Sequence, residues 1–236
     1  MNIKGLIQDY NGQFLTIVAP FDKDYLLEQK DIIDCEIRLN DGRSISNAQR
    51  RKIFALVSDI GDYVSGIQTK RDYAQMLREL KLMYVADVTD KECVRRQLTL
   101  RYCELIDRDI FSLSDTDMST ARDFISWLIE MCIDFDIPTN DSLLNLTEEM
   151  GRYLYRCVAK RRCAICGKKA DIHEVDKVGA GRNRRTIHHL GQRVQPLCRL
   201  HHREEEQLGQ KAFDEKHHIE HIKLDKYLCK LIGWKP

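Results

Sequence analysis

This sequence predicts an α+β protein in two parts: an N-terminal small sheet with several helices, then a short C-terminal segment with too few apolar residues to hold itself together. Three observations carry the prediction. Turn dipeptides and apolar stripes at helical spacing fill the first 150 residues. The charge reverses near residue 150: residues 1–150 carry 18 Lys+Arg against 27 Asp+Glu, a net of −9, and residues 151–236 carry 20 against 10, a net of +10. Three of the nine cysteines and five of the eight histidines crowd between Cys163 and Glu206.

The elements follow in order. "KGLIQDYNGQFLTIVAP" predicts a β-hairpin, because Asn11-Gly12 tolerates the positive φ values of a tight turn between two apolar segments. A short helix is expected over 22–30, then a strand in "DCEIRLND" closed by Asp41-Gly42. Ser46 and Gln49 have capping-box spacing. Behind them Ile53, Phe54, Leu56, Val57, Ile60 and Val64 make one apolar stripe. Further helices are expected near 70–83, 91–108, 120–135 and 147–160, with Thr69/Asp72 and Thr120/Asp123 as caps. Phe124, Trp127, Leu128, Met131 and Phe135 form a second stripe, read as core.

Composition excludes some classes. No apolar run approaches the roughly 20 residues of a membrane span, and "MNIKGLIQDYNGQF" has no signal-peptide core. A soluble, cytoplasmic protein with reduced thiols is expected. The odd cysteine count also argues against a disulfide framework. Cys35, Cys93, Cys103, Cys132, Cys157 and Cys229 sit among apolar residues and read as small core side chains.

The remaining cysteines have metal-ligand spacing. Cys163 and Cys166 form CxxC, and Cys198 and His201 form CxxH after 31 intervening residues. Each pair suits a tight knuckle, and two knuckles complete a tetrahedron of three thiolates and one imidazole, a structural Zn²⁺ set. Gly167 fits the first knuckle turn. The metal supplies the stabilisation that a small core lacks. His173 lies in "ADIHEVD", a predicted strand, and His202 and Glu206 share a helix face at i, i+4. His173, His202 and Glu206 are therefore candidates for a second, catalytic ion: Mg²⁺ or Mn²⁺, with Ni²⁺ or Zn²⁺ as further options because imidazoles contribute. Such an ion stabilises the leaving oxygen of a phosphodiester while a base deprotonates water. Between the knuckles, "GAGRNRRTIHHLGQR" offers Gly179 and Gly181 for close approach, and Arg182, Arg184, Arg185 and Arg193 for phosphate contacts. Asn183, His188 and His189 lie in reach of the same loop.

Cys163-x2-Cys166, "DIHEVD", and "PLCRLHH" followed by an acidic helix resemble the HNH (His-Asn-His) endonucleases with a zinc ribbon, especially phage-encoded ones with a "VGxGRNR" loop. The likeness covers about residues 160–220. It implies a zinc-stabilised ββα-metal (HNH) domain over 151–236 that cleaves DNA. In that family an adjacent pair opens the site, the first member binding metal and the second acting as base. Here the pair is His173-Glu174, so either Glu174 is the base, or His173 is the base with Asp171 or Asp176 supporting the ion. Gln192 and Arg193 stand where the middle Asn belongs, leaving His189 or Asn183 to replace it. Glu206 stands for the distal His.

"DGRSISNAQRRKIFALVSDIGDYVSG" is similar to the start of the phage lambda Orf (NinB) recombination proteins, single-strand DNA-binding mediators that are typically dimeric. This likeness makes residues 1–150 an expected mediator domain, with Arg43, Gln49, Arg50 and Arg51 as candidate DNA contacts. It implies single-stranded or branched DNA as partner, a homodimer, and a phage or prophage origin in a bacterial cytoplasm. Two functions follow: an HNH endonuclease of recombination or replication using His173, Glu174, His189 and His202, or a mediator whose nuclease site has decayed. A zinc scaffold that binds another protein leaves the Arg/His loop unexplained.

Overall fold

The computed structural model describes residues 6–10, 15–18, 43–65, 91–176 and 188–236. The first strands, β1 (Leu6–Tyr10) and β2 (Leu15–Val18), pair antiparallel from Leu6↔Val18 to Tyr10↔Leu15, as the hairpin reading expects. The Asn11-Gly12 turn, the helix at 22–30, the strand at 34–41 and the helix at 70–83 lie outside the described residues.

Helix α1 (Asn47–Ser65) starts at the expected capping box. The Ser46 Oγ accepts from the Gln49 amide, and the Gln49 Oε1 accepts from the Ser46 amide, both at 3.1 Å. Ile53, Leu56, Val57, Ile60 and Val64 are buried as expected, but Phe54 is 52% exposed. At about 100° per residue, Phe54 stands about 100° from the middle of that buried stripe, whereas Leu56 stands only about 60° from it on the other side. Next come α2 (Lys91–Leu105), α3 (Met118–Asp134), the single turn α4 (Leu143–Leu146) and α5 (Met150–Lys160). The cap of α3 is Asp117 rather than Thr120: its carboxylate accepts from the Thr120 amide at 2.8 Å and its hydroxyl at 2.7 Å. A carboxylate is a stronger acceptor than the hydroxyl it displaces.

Helices α1, α3 and α5 pack in succession, with α2 against α1. Their buried faces join Leu56, Leu98, Phe124, Leu128 and Leu154 in one core. Trp127 and Phe135, expected there, are partly buried against it. Cys103, Cys132, Cys157 and Cys229 are buried and Cys93 half-buried, while Cys35 lies outside the described residues.

Helix α5 carries that core into the C-terminal segment. It ends at Arg161, in the left-handed region at φ 51°, which swings the chain into the first knuckle. There β3 (Asp171–Glu174), β4 (Arg193–Leu197) and β5 (Ile222–Lys223) form an antiparallel sheet in the order β3-β4-β5. After β4 come α6 (Arg199–Leu208) and α7 (Gln210–His217), broken at Gly209, and α8 (Lys226–Ile232) closes the fold. Ala164, Leu197, Phe213 and Ile219 belong to the same core as the N-terminal helices. Val194, Leu224, Leu228 and Ile232 form a smaller core of their own with Val158.

Candidate metal centre and its polar cluster

The two knuckles meet as their spacing predicts. In the first, the Cys163 amide donates to the Lys168 carbonyl at 2.7 Å and the Gly167 amide to the Cys163 carbonyl at 2.8 Å. Gly167 has φ +69°, a conformation that costs any residue with a Cβ. The Ala164 amide donates to the Pro196 carbonyl at 3.0 Å, which ties this knuckle to β4, and β4 leads directly into Cys198. The ligand atoms of Cys163, Cys166, Cys198 and His201 all lie within 4.8 Å of one another. His201 turns Nδ1 inward, 3.3 Å from both the Cys163 and Cys198 sulfurs. Three thiols and one imidazole converging on one point can hold Zn²⁺. Burial pushes the Cys163 thiol up to about 12. Burial also acts on Cys198, but hydrogen bonds from the backbone of His201 and Leu200 and from the neighbouring cysteines hold that thiol below its ordinary value. Among the described residues this is the only such ligand group.

A second cluster lies beside it. His173 on β3 and His202 on α6 place their rings 4.7 Å apart, edge to face. His173 Nε2 is 3.4 Å from Glu205 Oε2, and His202 Nδ1 is 3.6 Å from Glu206 Oε1. Burial holds the His173 pKa below its ordinary value against the opposing pull of Glu205, so the imidazole is neutral and keeps a lone pair at neutral pH. Glu205 is buried at 8% exposure, whereas Glu206 is open to solvent. The sequence reading chose Glu206 by i, i+4 spacing and missed Glu205, although position i+3 shares the helix face too.

The expected catalytic quartet divides into two pairs. Neighbours on a strand leave on opposite faces, and Glu174 stands by His189, 3.6 Å from its Nδ1, rather than by His202. His189 Nδ1 also faces Gln192 Oε1 at 2.9 Å, and its ring lies on Trp234 at 4.6 Å. Two acceptors at Nδ1 favour the tautomer that donates from that nitrogen.

Beneath His173 lies a polar network that sequence reasoning missed. Gln195, directly across the β3-β4 ladder from His173, is fully buried. Its amide donates to Asp214 Oδ1 at 2.8 Å, and the Gln210 amide donates to both Gln195 Oε1 and Asp214 Oδ1. His221 Nε2 stands 3.0 Å from Asp214 Oδ2. A glutamine inside the otherwise apolar "VQPL" was the available signal.

The expected DNA contacts differ in where they stand. Arg182, Arg184 and Arg185, with Gly179, Gly181 and Asn183, lie outside the described residues. Arg193 is committed to Asp176, with its amide at 2.8 Å and its guanidinium at 2.9 and 2.6 Å. Arg50 donates to the Ser114 carbonyl, and Arg51 is exposed. Gln49 is not at the surface: it is 2% exposed, and its amide donates to the Met118 carbonyl and Glu148. The capping box that starts α1 turns this side chain inward.

A family model described as "Putative HNHc nuclease" matches residues 65–234, most of the chain and all of both clusters. No curated protein and no solved structure matches significantly.

Proposed function

Since the chain belongs to the HNHc nuclease family, we propose that it is a metal-dependent DNA endonuclease whose centre is the His173–His202 pair with Glu205. The observation that carries this reading is the 4.7 Å approach of two imidazoles from β3 and α6 beside a buried carboxylate. Two imidazoles and a carboxylate fit a divalent ion that accepts nitrogen and oxygen, Mn²⁺ or Mg²⁺, with Glu206 open to complete the set. Such an ion, when bound, stabilises the charge that develops on the leaving oxygen. Gln195, Gln210 and Asp214 hold the floor under His173 as the outer partners of a metal ligand do. On the opposite face of β3, His189 is held at Nδ1 by Gln192 and Glu174. Glu174 then orients His189 instead of acting as base itself. Cys163, Cys166, Cys198 and His201 would hold a structural zinc, which would fasten the start of α6 to the first knuckle and so support the spacing of the histidine pair.

The finer features rest on sequence likeness. Residues 1–150 are a single-strand DNA-binding mediator domain, and residues 151–236 the nuclease. The substrate is single-stranded or branched DNA in recombination or replication. The protein is a homodimer, encoded by a phage or prophage and working in the cytoplasm of a bacterial cell. A second reading, a mediator whose nuclease site has decayed, is favoured by one observation: Glu174, at the position of the family's base, stands with His189 and not with His202.

Incubation of the purified protein with Mg²⁺ or Mn²⁺ and single-stranded, duplex or branched DNA decides between the readings. Metal-dependent cleavage is expected, reduced about 100-fold or more in His173→Ala and His202→Ala. DNA binding without cleavage in the wild type leaves the mediator reading alone.

A further inference from the structure

Most guanidiniums of the described residues are in use. Among the described residues, arginines engage carboxylates at positions 95, 96, 101, 108, 122, 152, 156, 162 and 193. Arg50 and Arg161 donate to the carbonyls of Ser114 and Ile232, and Arg43 is also engaged. Arg51, Arg199 and Arg203 are the ones without a partner among the described residues, and all three are exposed. Two of these three lie on α6, the helix that carries His201 and His202.

Their lack of partners is not for want of carboxylates. Glu204, Glu205 and Glu206 follow within the same helix. Each is turned elsewhere: Glu204 to Lys216 and His217, Glu205 to His173, and Glu206 to His202. At about 100° per residue, Arg199 and Arg203 sit only about 40° apart around the helix. His202 is roughly 60° to one side of Arg199, and the buried Glu205 roughly 120° beyond Arg199 on that same side. The two arginines thus form one solvent-facing ridge that borders the histidine pair, one turn of helix long.

We infer that Arg199 and Arg203 clamp the DNA backbone and set the strand in register beside His202. A planar guanidinium pairs with phosphate through two parallel hydrogen bonds, and two of them one turn apart can grip neighbouring phosphates. This inference rests on the nuclease reading for the purpose of the clamp, but the clamp itself is a statement about DNA binding.

The test is the salt dependence of binding to a short duplex and to one of its strands, for wild type and the double variant Arg199→Gln/Arg203→Gln. Glutamine keeps the stem and the helix propensity, and zinc content reports the fold. The slope of log affinity against log salt is expected to fall by about 1.8 on duplex and about 1.4 on the single strand, at roughly 0.9 and 0.7 per phosphate contact. KM for cleavage rises, with zinc content unchanged. An unchanged slope overturns the clamp while leaving the nuclease reading intact. A wild type that binds DNA but cleaves none removes the nuclease reading, and the slope comparison still decides the clamp. No DNA binding by the wild type overturns both.

Discussion

Asp117 takes both the amide and the hydroxyl of Thr120, and its consequences are confined to one helix end. Burial raises its pKa, but the two Thr120 hydrogen bonds and nearby Arg108 outweigh that and leave it below the ordinary 3.8. Asp117→Ala is expected to cost about 1 kcal/mol at neutral pH, read from thermal unfolding. A carboxylate with a lowered native pKa stabilises fully above 3.8 and stops doing so as pH falls through the native value. The Tm values of wild type and variant therefore converge in acid below 3.8. At this scale the sequence was partly legible. Ser46 and Gln49 cap each other as their spacing said, because a capping box needs only four consecutive residues. Asp117 was passed over because both Asp117 and Thr120 are good caps, and which of them starts the helix depends on backbone angles that spacing does not specify. Glu205 was passed over for a similar reason, since i+3 and i+4 are equally near on a helix and only burial separates them.

At the scale of elements, the two knuckles, β4 and α6 act as one device. Cys163 is fully buried, and its neighbour Ala164 donates to Pro196, so the first knuckle is built onto the strand that leads to the second. Metal analysis of the wild type is expected to give one zinc per chain, and Cys163→Ser to lose most of it. Removal of zinc by a chelator should raise hydrogen exchange across β3, β4 and the first turn of α6, where the clasp is the local support. A wild type that folds without zinc would contradict the assignment of the four ligands. The CxxC and CxxH spacings made this device readable, because a knuckle is a local structure of four residues. The division of His173 and Glu174 between two partners was not readable. Adjacent letters in "DIHEVD" suggest one site, but strand pleating sends them apart, and only the positions of α6 and His189 show what each one meets.

For the whole molecule, the charge boundary near residue 150 does not coincide with a gap in the core. Phe213, fully buried on α7, shares a cluster with Phe124, Leu128 and Leu154 of the helical part. Tyr153 of α5 donates its hydroxyl to the Ala164 carbonyl at 2.8 Å, which fastens α5 to the first knuckle. Phe213→Ala is expected to cost about 3–5 kcal/mol. Because the core is shared, the helical circular dichroism and the release of zinc should shift to lower temperature together. A shift of zinc release alone would instead mark the C-terminal segment as an independent unit, as the charge reversal suggests. By itself the sequence determined the helical stripes, the hairpin, the capping box and the four-ligand metal set, all of which depend on neighbours a few residues apart or on the chemistry of cysteine and histidine. The tertiary structure alone decided which histidine meets which carboxylate, that Gln195 and Asp214 lie under His173, and that Arg193 is spent on Asp176 while Arg199 and Arg203 have no partner among the described residues. Those outcomes depend on distances between segments far apart in the chain, which packing sets and local spacing does not encode.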